Sequence, residues 1–200
     1  MLVNLNNILL TARKKGYAVG AFNTSNLEIT QAIITAAETL SAPVIAATSD
    51  KAIRYAGLEN IAAMIINMAE RARIPVILHL DHGNSYELCR ECIKHGYTSV
   101  MIDASHLSFN NNVKVTRKVV RYAHKYGVTV EAEIGRLAGI EDDLKVKKGE
   151  AIYTDPDEAA RFTKESGCDA LAVAIGTSHG AYKFKGTPRL RIDILREIAE

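Results

Sequence analysis

The sequence contains no tryptophan, four prolines and three cysteines among its 200 residues. Three cysteines are few and odd in number, which argues against a disulfide framework and predicts a reducing, cytoplasmic location. The longest apolar runs are far shorter than the ~20 residues that a membrane span needs, so no membrane partner is expected. The N-terminal residues also lack the pattern of a signal peptide, which is a charged segment followed by a long apolar run.

A strong net charge is absent as well. Lys and Arg number 25 and Asp and Glu number 23, which leaves a formal charge of +2. No strongly basic stripe is apparent for neutralising phosphates, so nucleic acid is not expected as a partner. The 48% apolar and 24% charged composition is typical of a globular protein with a core. The length suits one domain but falls short of the ~250 residues of a complete eight-stranded α/β barrel.

Six short apolar runs alternate with helical patterns along the chain. The runs occupy residues 18–23, 43–48, 75–81, 98–103, 128–134 and 170–175. Their nearly continuous apolar character predicts strands that are buried on both faces, as in parallel sheets. One helix precedes the first run, and a last helix is expected near residues 191–199. Ser25 with Glu28, and Asp155 before Pro156, are typical helix-capping patterns.

The C-terminal ends of the predicted strands carry polar residues, and this feature distinguishes two α/β architectures. An open doubly wound sheet concentrates its ligands at one crevice, whereas a (β/α) barrel gathers them from many strand ends. The sequence therefore predicts an α/β protein of the (β/α)8 TIM-barrel class. We expect residues 1–200 to form a single barrel domain with about the first six βα units, truncated before the last two strands.

The densest group of chemically active residues is HLDHG at residues 79–83. Strand alternation places His79 and Asp81 on one face, and we expect His82 on an exit turn where Gly83 permits an unusual backbone angle. An imidazole beside a carboxylate suits a metal ligand next to an acid–base group. A pair of solvated loop residues is the alternative interpretation.

Two further segments extend this candidate site. His179 lies between Thr-Ser and Gly in GTSHG at residues 176–180, and it is a candidate metal ligand together with His82. Glu131 and Glu133 share one face of a strand, where burial of carboxylates requires pairing or a metal. A salt bridge to a nearby Lys or Arg is the alternative for Glu131. The CxxC pattern of Cys89 and Cys92 has no second pair and is interpreted as structural.

Several motifs together resemble one enzyme family. They are AFN at 21–23, HLDHG at 79–83, DAS at 103–105, VEAEIG at 130–135, and the run from YTDPDEAARF to LAVAIGTSHGAYK at 153–183. In this order they resemble the class II, zinc-dependent ketose-bisphosphate aldolases, which act on fructose or tagatose 1,6-bisphosphate. The resemblance implies a sugar-bisphosphate substrate and a homo-oligomer, either a dimer or a tetramer.

The resemblance also implies the metal ligands. His82 and His179 would bind the catalytic zinc, and Asp103 and Glu133 would form a second divalent site or an alternate position for the zinc. A monovalent cation is a further cofactor that the family resemblance suggests. The family's third zinc histidine and its phosphate-binding segment have no counterpart in these 200 residues, so we expect the 200-residue chain alone to bind zinc weakly and to lack useful activity.

Roles in substrate binding and proton transfer follow from the same resemblance. Asp81 would donate a proton to the carbonyl oxygen of the aldehyde half, and Glu141 would move the proton at the carbon of the new bond. Glu141 lies in a polar segment, residues 139–150, that we expect to be a loop closing over the substrate. Asn23 and Ser49 would contact substrate, and the Gly180 amide would bind the dihydroxyacetone phosphate half.

Alternatives remain at this stage. One is a non-catalytic barrel-like accessory subunit of such an aldolase, or an inactive fragment. A second is a metal-dependent hydrolase on the same fold, although the His-x-His pair typical of these enzymes is absent. An aldolase for a related sugar-acid phosphate is a third. Residues 48–57, TSDKAIRYAG, depart from the TSEGA pattern of the fructose-type enzymes, which favours tagatose bisphosphate.

Overall fold

The computed structural model describes residues 1–141, 144–146, 152–179, 187 and 189–200, with backbone alone for 138–141, 144–146 and 178–179. Six parallel strands form one sheet in the order β1-β2-β3-β4-β5-β8, which curls into a half-barrel. These strands are β1 (Gly20–Asn23), β2 (Val44–Ser49), β3 (Val76–Gly83), β4 (Ser99–Ile102), β5 (Thr129–Ile134) and β8 (Ala170–Val173). The six predicted strands and the predicted α/β class are confirmed.

Helices follow the sheet strands in the expected alternation, and one further helix precedes the first strand. They are α1 (Leu5–Lys15), α2 (Leu27–Thr39), α3 (Asp50–Ala56), α4 (Leu58–Arg71), α5 (Tyr86–Lys94), α6 (Phe109–Ala123), α7 (Pro156–Ser166) and α8 (Ile192–Ala199), with a 3₁₀ turn at His124–Tyr126. The short helix α3 is not predicted by the sequence pattern. None of the helices in the described ranges is long and apolar enough to span a membrane.

A second, smaller sheet contains β6 (Ala138–Glu141), β7 (Leu144–Val146) and β9 (Ser178–His179). Strands β6 and β7 pair antiparallel, and β6 also pairs in parallel with β9, with Gly139 opposite His179. In its described part, the loop expected over residues 139–150 contains the paired strands β6 and β7, and its closure over a substrate stays a prediction. This sheet places the backbone of the Glu141 segment beside that of the His179 segment.

The core lies on both sides of the half-barrel wall. Outside, β3 and its neighbours pack against α4 and α5, so that Val76, Leu78 and Leu80 are fully buried. Inside, Leu5 and Ile8 of α1 pack against Ile45 and Ile77. The Leu5 amide also donates to Thr129 Oγ1 at 3.2 Å. Helix α1 thus closes the end of the barrel at which the strands begin, and the polar strand ends lie at the opposite, open end.

The cap signals are confirmed at one helix and corrected at another. Asp155 caps α7 by accepting from the Glu158 amide at 2.9 Å, with Pro156 at the first helical position. For α2 the cap is Asn26 and not Ser25, because the helix begins one residue later and the Asn26 side chain accepts from the Ile29 amide.

Candidate metal and proton-transfer site

The backbone of β3 is irregular where its polar residues begin. Its pairing with β4 is irregular between Leu80 and Gly83. Leu80 pairs with Val100 and Gly83 pairs with Ile102, so β3 has one more residue than β4 over this stretch. His82 itself takes the left-handed conformation, with φ of 48°. The sequence-based expectation assigned that unusual angle to Gly83 and is corrected here. The bulge redirects the His82 side chain toward the ends of β4 and β5.

Gly83 is required for a different reason, which is close packing of two strands. A Cβ atom at this position would lie 2.5 Å from the Met101 carbonyl oxygen and 2.7 Å from the Leu80 side chain. The Gly83 carbonyl in turn accepts from the Asp103 amide at 2.9 Å. The glycine therefore lets β3 and β4 approach each other directly beside the polar strand ends.

His82, Asp103 and Glu133 converge at the open end of the half-barrel. His82 Nδ1 lies 3.1 Å from Asp103 Oδ2 and 3.6 Å from Glu133 Oε2. One ligand atom from each of the three lies within 4.8 Å of the others. All three side chains are mostly buried, with 14%, 4% and 10% of their surface exposed. We call this group the metal triad.

Neighbouring groups hold the two carboxylate residues in place. Asp103 Oδ1 accepts from the Ser105 amide at 3.0 Å, and Asn112 Nδ2 donates to the Glu133 carbonyl at 2.8 Å. Burial by itself raises the pKa of Asp103, but hydrogen bonds from His82 and Ser105 outweigh it and leave the pKa below its usual value. The Asp103 carboxylate is thus held in the charged form that a cation needs.

The metal triad fits a divalent cation by its chemistry. Two largely buried carboxylates this close repel each other unless a positive charge lies between them, and an imidazole nitrogen completes a mixed nitrogen and oxygen donor set. Such a set suits Zn²⁺ and several other divalent ions.

Asp81 lies next to the metal triad on the same strand. Its Oδ1 is 3.9 Å from His82 Nε2, and its Oδ2 accepts from Asn23 Nδ2 at 2.8 Å. The side chain remains 22% exposed, so the carboxylate is accessible from the open end. An oriented, solvent-accessible carboxylate beside a cation site is suited to proton transfer.

A cavity of about 390 Å³ is lined by Asn23, the hydrogen-bond partner of Asp81. Among the residues lining it are Asn23, Ser49, Lys51 and Tyr55. Ser49 ends β2 opposite Asp81 in the strand register, and its Oγ accepts from the Ala52 amide at 3.4 Å as the cap of α3. The predicted substrate residues Asn23 and Ser49 thus line one cavity at the barrel rim.

Deeper in the barrel, His79 contacts Ser99 and Glu131, a grouping that the sequence did not predict. His79 Nδ1 is 2.8 Å from Ser99 Oγ, and His79 Nε2 is 3.4 Å from Glu131 Oε2. Burial lowers the pKa of His79 to about 4 despite the nearby Asp81 charge. Burial and repulsion from Asp81 raise the pKa of Glu131 to about 7, against an opposing effect of His82. The acidic partner of His79 is Glu131, so the alternative of a Lys or Arg salt bridge is not the contact observed.

The remaining predicted site residues are placed only in part. His179 lies in β9 and Glu141 in β6, with backbone alone described, and Gly180 lies outside the described residues. The pairing of His82 with His179 at one zinc therefore stays a prediction. Cys89 and Cys92 are buried free thiols, in agreement with a structural role.

Comparison with known proteins identifies the family. The model of class-II fructose-bisphosphate aldolases matches residues 3–200. The chain belongs to this family. It is 52% identical over 199 residues to a fructose-bisphosphate aldolase of Helicobacter pylori, and 52% identical over 200 residues to that of Thermus caldophilus. These alignments cover 99% and 100% of this chain but 65% of each of the two relatives.

Solved structures of other aldolases share the fold. The crystal structure of the YdjI aldolase from Escherichia coli K12 superposes with a TM-score of 0.86 at 36% identity, covering 99% of this chain and 69% of that one. A putative fructose-1,6-bisphosphate aldolase from Coccidioides immitis gives a TM-score of 0.87 at 33% identity, covering 98% and 68%. Both of these structures therefore contain the half-barrel arrangement seen here.

Proposed function

We propose that the protein is a metal-dependent aldolase that reversibly cleaves a ketose 1,6-bisphosphate to dihydroxyacetone phosphate and glyceraldehyde 3-phosphate. The observation that carries this proposal is the metal triad beside Asp81 at the open end of the half-barrel. Membership of the class-II fructose-bisphosphate aldolase family supports the same chemistry. The accessory-subunit alternative does not account for an accessible Asp81 oriented by Asn23.

The proposed cofactor is Zn²⁺, held by His82 and His179, with Asp103 and Glu133 as a second or alternate divalent site. His82, Asp103 and Glu133 support it because their donor atoms already lie within 4.8 Å of one another. When bound, the cation supplies Lewis-acid stabilisation of the negative charge that develops on the dihydroxyacetone phosphate half. The protein's own contribution is to hold the Asp103 carboxylate in its charged form and, by burying the three side chains, to limit access of water.

Asp81 is the proposed acid–base group at the C4 oxygen. In cleavage its carboxylate takes the proton of the C4 hydroxyl as the C3–C4 bond breaks, and in condensation it returns that proton to the aldehyde oxygen. The hydrogen bond from Asn23 occupies Oδ2, which leaves Oδ1 to face the substrate. Glu141 is proposed to deliver the proton to C3 after cleavage.

Two contacts are proposed to hold the substrate ends. Ser49, which lies opposite Asp81 in the strand register and lines the cavity with Asn23, is proposed to contact the aldehyde half. The Gly180 amide is proposed to bind the dihydroxyacetone phosphate half.

A homo-oligomer, either dimer or tetramer, is the proposed assembly.

Fructose 1,6-bisphosphate is the proposed main substrate, because the curated relatives at 52% identity carry that name. Tagatose 1,6-bisphosphate, which differs in the configuration at C4, is the second candidate. It is favoured by Asp50 and Lys51, which replace the Glu-Gly of the TSEGA pattern. Lys51 lines the cavity beside Asn23 and Ser49, where it can alter recognition of the aldehyde half.

The test is a direct comparison of cleavage of the two ketose bisphosphates. The protein is purified from the cells that make it and incubated with each compound, and its cleavage is measured by trapping the glyceraldehyde 3-phosphate that is released. We expect cleavage of both compounds, with the higher kcat/KM for fructose bisphosphate. A higher value for tagatose bisphosphate would reverse the substrate assignment, and no cleavage of either would contradict the proposed activity.

A further inference from the structure

A second polar layer lies beneath the metal triad inside the half-barrel. It consists of Ser99, His79 and Glu131, joined by the 2.8 Å contact from Ser99 Oγ to His79 Nδ1 and the 3.4 Å contact from His79 Nε2 to Glu131 Oε2. Ser99 is fully buried, and the side chains of His79 and Glu131 are 5% and 26% exposed. We call this group the lower layer.

The lower layer and the metal triad each contain one residue from β3, one from β5, and one from β4 or directly after it. β3 carries His79 and His82, and β5 carries Glu131 and Glu133. β4 contributes Ser99, and Asp103 follows its last residue. The His79 imidazole therefore bridges to both β4 and β5 one level below the point where their carboxylates meet His82.

The backbone provides less support between the two levels than elsewhere in the sheet. Regular pairing of β3 with β4 includes His79 opposite Ser99 and Leu80 opposite Val100, and is then shifted until Gly83 pairs with Ile102. His82 lies within this shifted segment and has a left-handed backbone. Its position relative to β4 and β5 therefore depends on the contacts at either end of the bulge. The lower layer supplies the contacts on the inner side.

The imidazole in the lower layer is neutral because burial lowers the pKa of His79 to about 4. A neutral imidazole has one donor and one acceptor nitrogen, and each faces a side chain from a different strand. Removal of the Ser99 hydroxyl leaves Nδ1 of this buried imidazole without its hydrogen-bond partner, which favours a shift of β3 or of the imidazole.

We propose that Ser99, His79 and Glu131 are positioning residues for the metal triad. They fix the spacing of β3, β4 and β5 so that His82, Asp103 and Glu133 meet at one cation. This rests on the part of the proposed function in which the metal triad binds a divalent cation, and it adds residues that do not themselves touch the metal. Ser99 is the sharpest probe, because its replacement changes no charge.

The test compares Ser99→Ala with Tyr97→Phe. The control removes a hydroxyl that is similarly buried but lies in the outer core, where Tyr97 Oη is 2.7 Å from Thr48 Oγ1. Affinity for Co²⁺ is measured by calorimetric titration, and the free energy of unfolding is measured in parallel without metal. We expect both variants to lose similar stability, but only Ser99→Ala to lose about tenfold in Co²⁺ affinity. Ser99→Cys, which retains a weak donor of similar size, should give an intermediate affinity.

Each outcome decides the proposal. Wild-type affinity in Ser99→Ala, or an equal loss in Tyr97→Phe, would overturn the positioning role and leave the proposed aldolase function standing. If Ser99→Ala does not fold, wild-type affinity in Ser99→Cys overturns the positioning role and a weakened affinity supports it. Absence of Co²⁺ binding in the wild-type protein would overturn both the positioning role and the proposed metal site.

Discussion

At the scale of single residues, the two carboxylate oxygens of Asp81 have different neighbours. Oδ2 is occupied by the Asn23 amide, while Oδ1 lies on the side of His82. A carboxylate held in this way is oriented before substrate arrives, so that proton transfer needs little reorganisation.

Asp81→Asn should therefore remove proton transfer while keeping the shape of the site. We expect kcat for fructose bisphosphate cleavage to fall by at least ~10²-fold, because general acid–base catalysis contributes about that much or more. Affinity for Co²⁺ should change little by comparison. Asp157→Asn, the same substitution at an exposed position in the first turn of α7, is the control and should retain full activity. An Asp81→Asn enzyme with wild-type kcat would exclude Asp81 as the acid–base group.

At the scale of elements, the bulge of β3 controls the site because it orients His82 and requires Gly83. Gly83→Ala places a methyl group 2.5 Å from the Met101 carbonyl oxygen. The two strands must then separate, and we expect a loss of roughly 1–3 kcal/mol in the free energy of unfolding together with weaker Co²⁺ binding.

Gly16→Ala is the matched control for that substitution. Gly16 ends α1 with φ of 70° and has open space around its Cβ position. Alanine there should cost about 1 kcal/mol through backbone strain alone. Denaturant titrations and calorimetry on both variants separate the two effects. Equal Co²⁺ affinity in Gly83→Ala and wild type would show that the strand contact does not control the metal triad.

The sequence predicts those elements whose burial produces a recognisable pattern of apolar residues along the chain. The six sheet strands are buried on both faces and are therefore continuous apolar runs. Helix α3 has no such pattern, because it is seven residues long and Asp50 and Ile53 are its only buried residues. The small sheet is missed because β6 and β7 pair within a polar segment, where backbone hydrogen bonds leave no apolar alternation.

The residues of the candidate site are likewise predicted only in part. The location of His82, Asp103 and Glu133 at one end of the barrel is predicted from polar residues at parallel strand ends, which share one edge of the sheet. Their grouping as a triad is not, because the prediction paired His82 with His179 and gave Asp103 and Glu133 a second or alternate site.

The contact between Ser99 and His79 is not predicted, because the register that places these two residues opposite each other on β3 and β4 is not visible in the sequence. The one available signal is that Ser99 is a polar residue within a predicted apolar strand.

At the scale of the whole molecule, charge is distributed unevenly despite the net value of +2. The open end of the half-barrel collects Asp81, Asp103 and Glu133 around His82, and Glu131 lies one layer below them. A divalent cation offsets this repulsion and binds only the folded state, so it should stabilise the protein. At a hundred times the dissociation constant the gain is about 2.7 kcal/mol.

Thermal unfolding with and without Zn²⁺ or Co²⁺ measures this gain. We expect the melting temperature to rise with cation concentration in the wild type and to rise much less in Asp103→Asn, which removes one of the charged ligands. A rise that is identical in the two proteins would place the bound cation elsewhere.

The most direct test of the central claim is fructose 1,6-bisphosphate cleavage by the protein purified from the cells that make it, before and after removal of divalent metal. The account predicts that a chelator abolishes cleavage and that added Zn²⁺ restores it. Cleavage that continues at the full rate after all divalent metal has been removed would contradict the assignment of this chain as a metal-dependent aldolase.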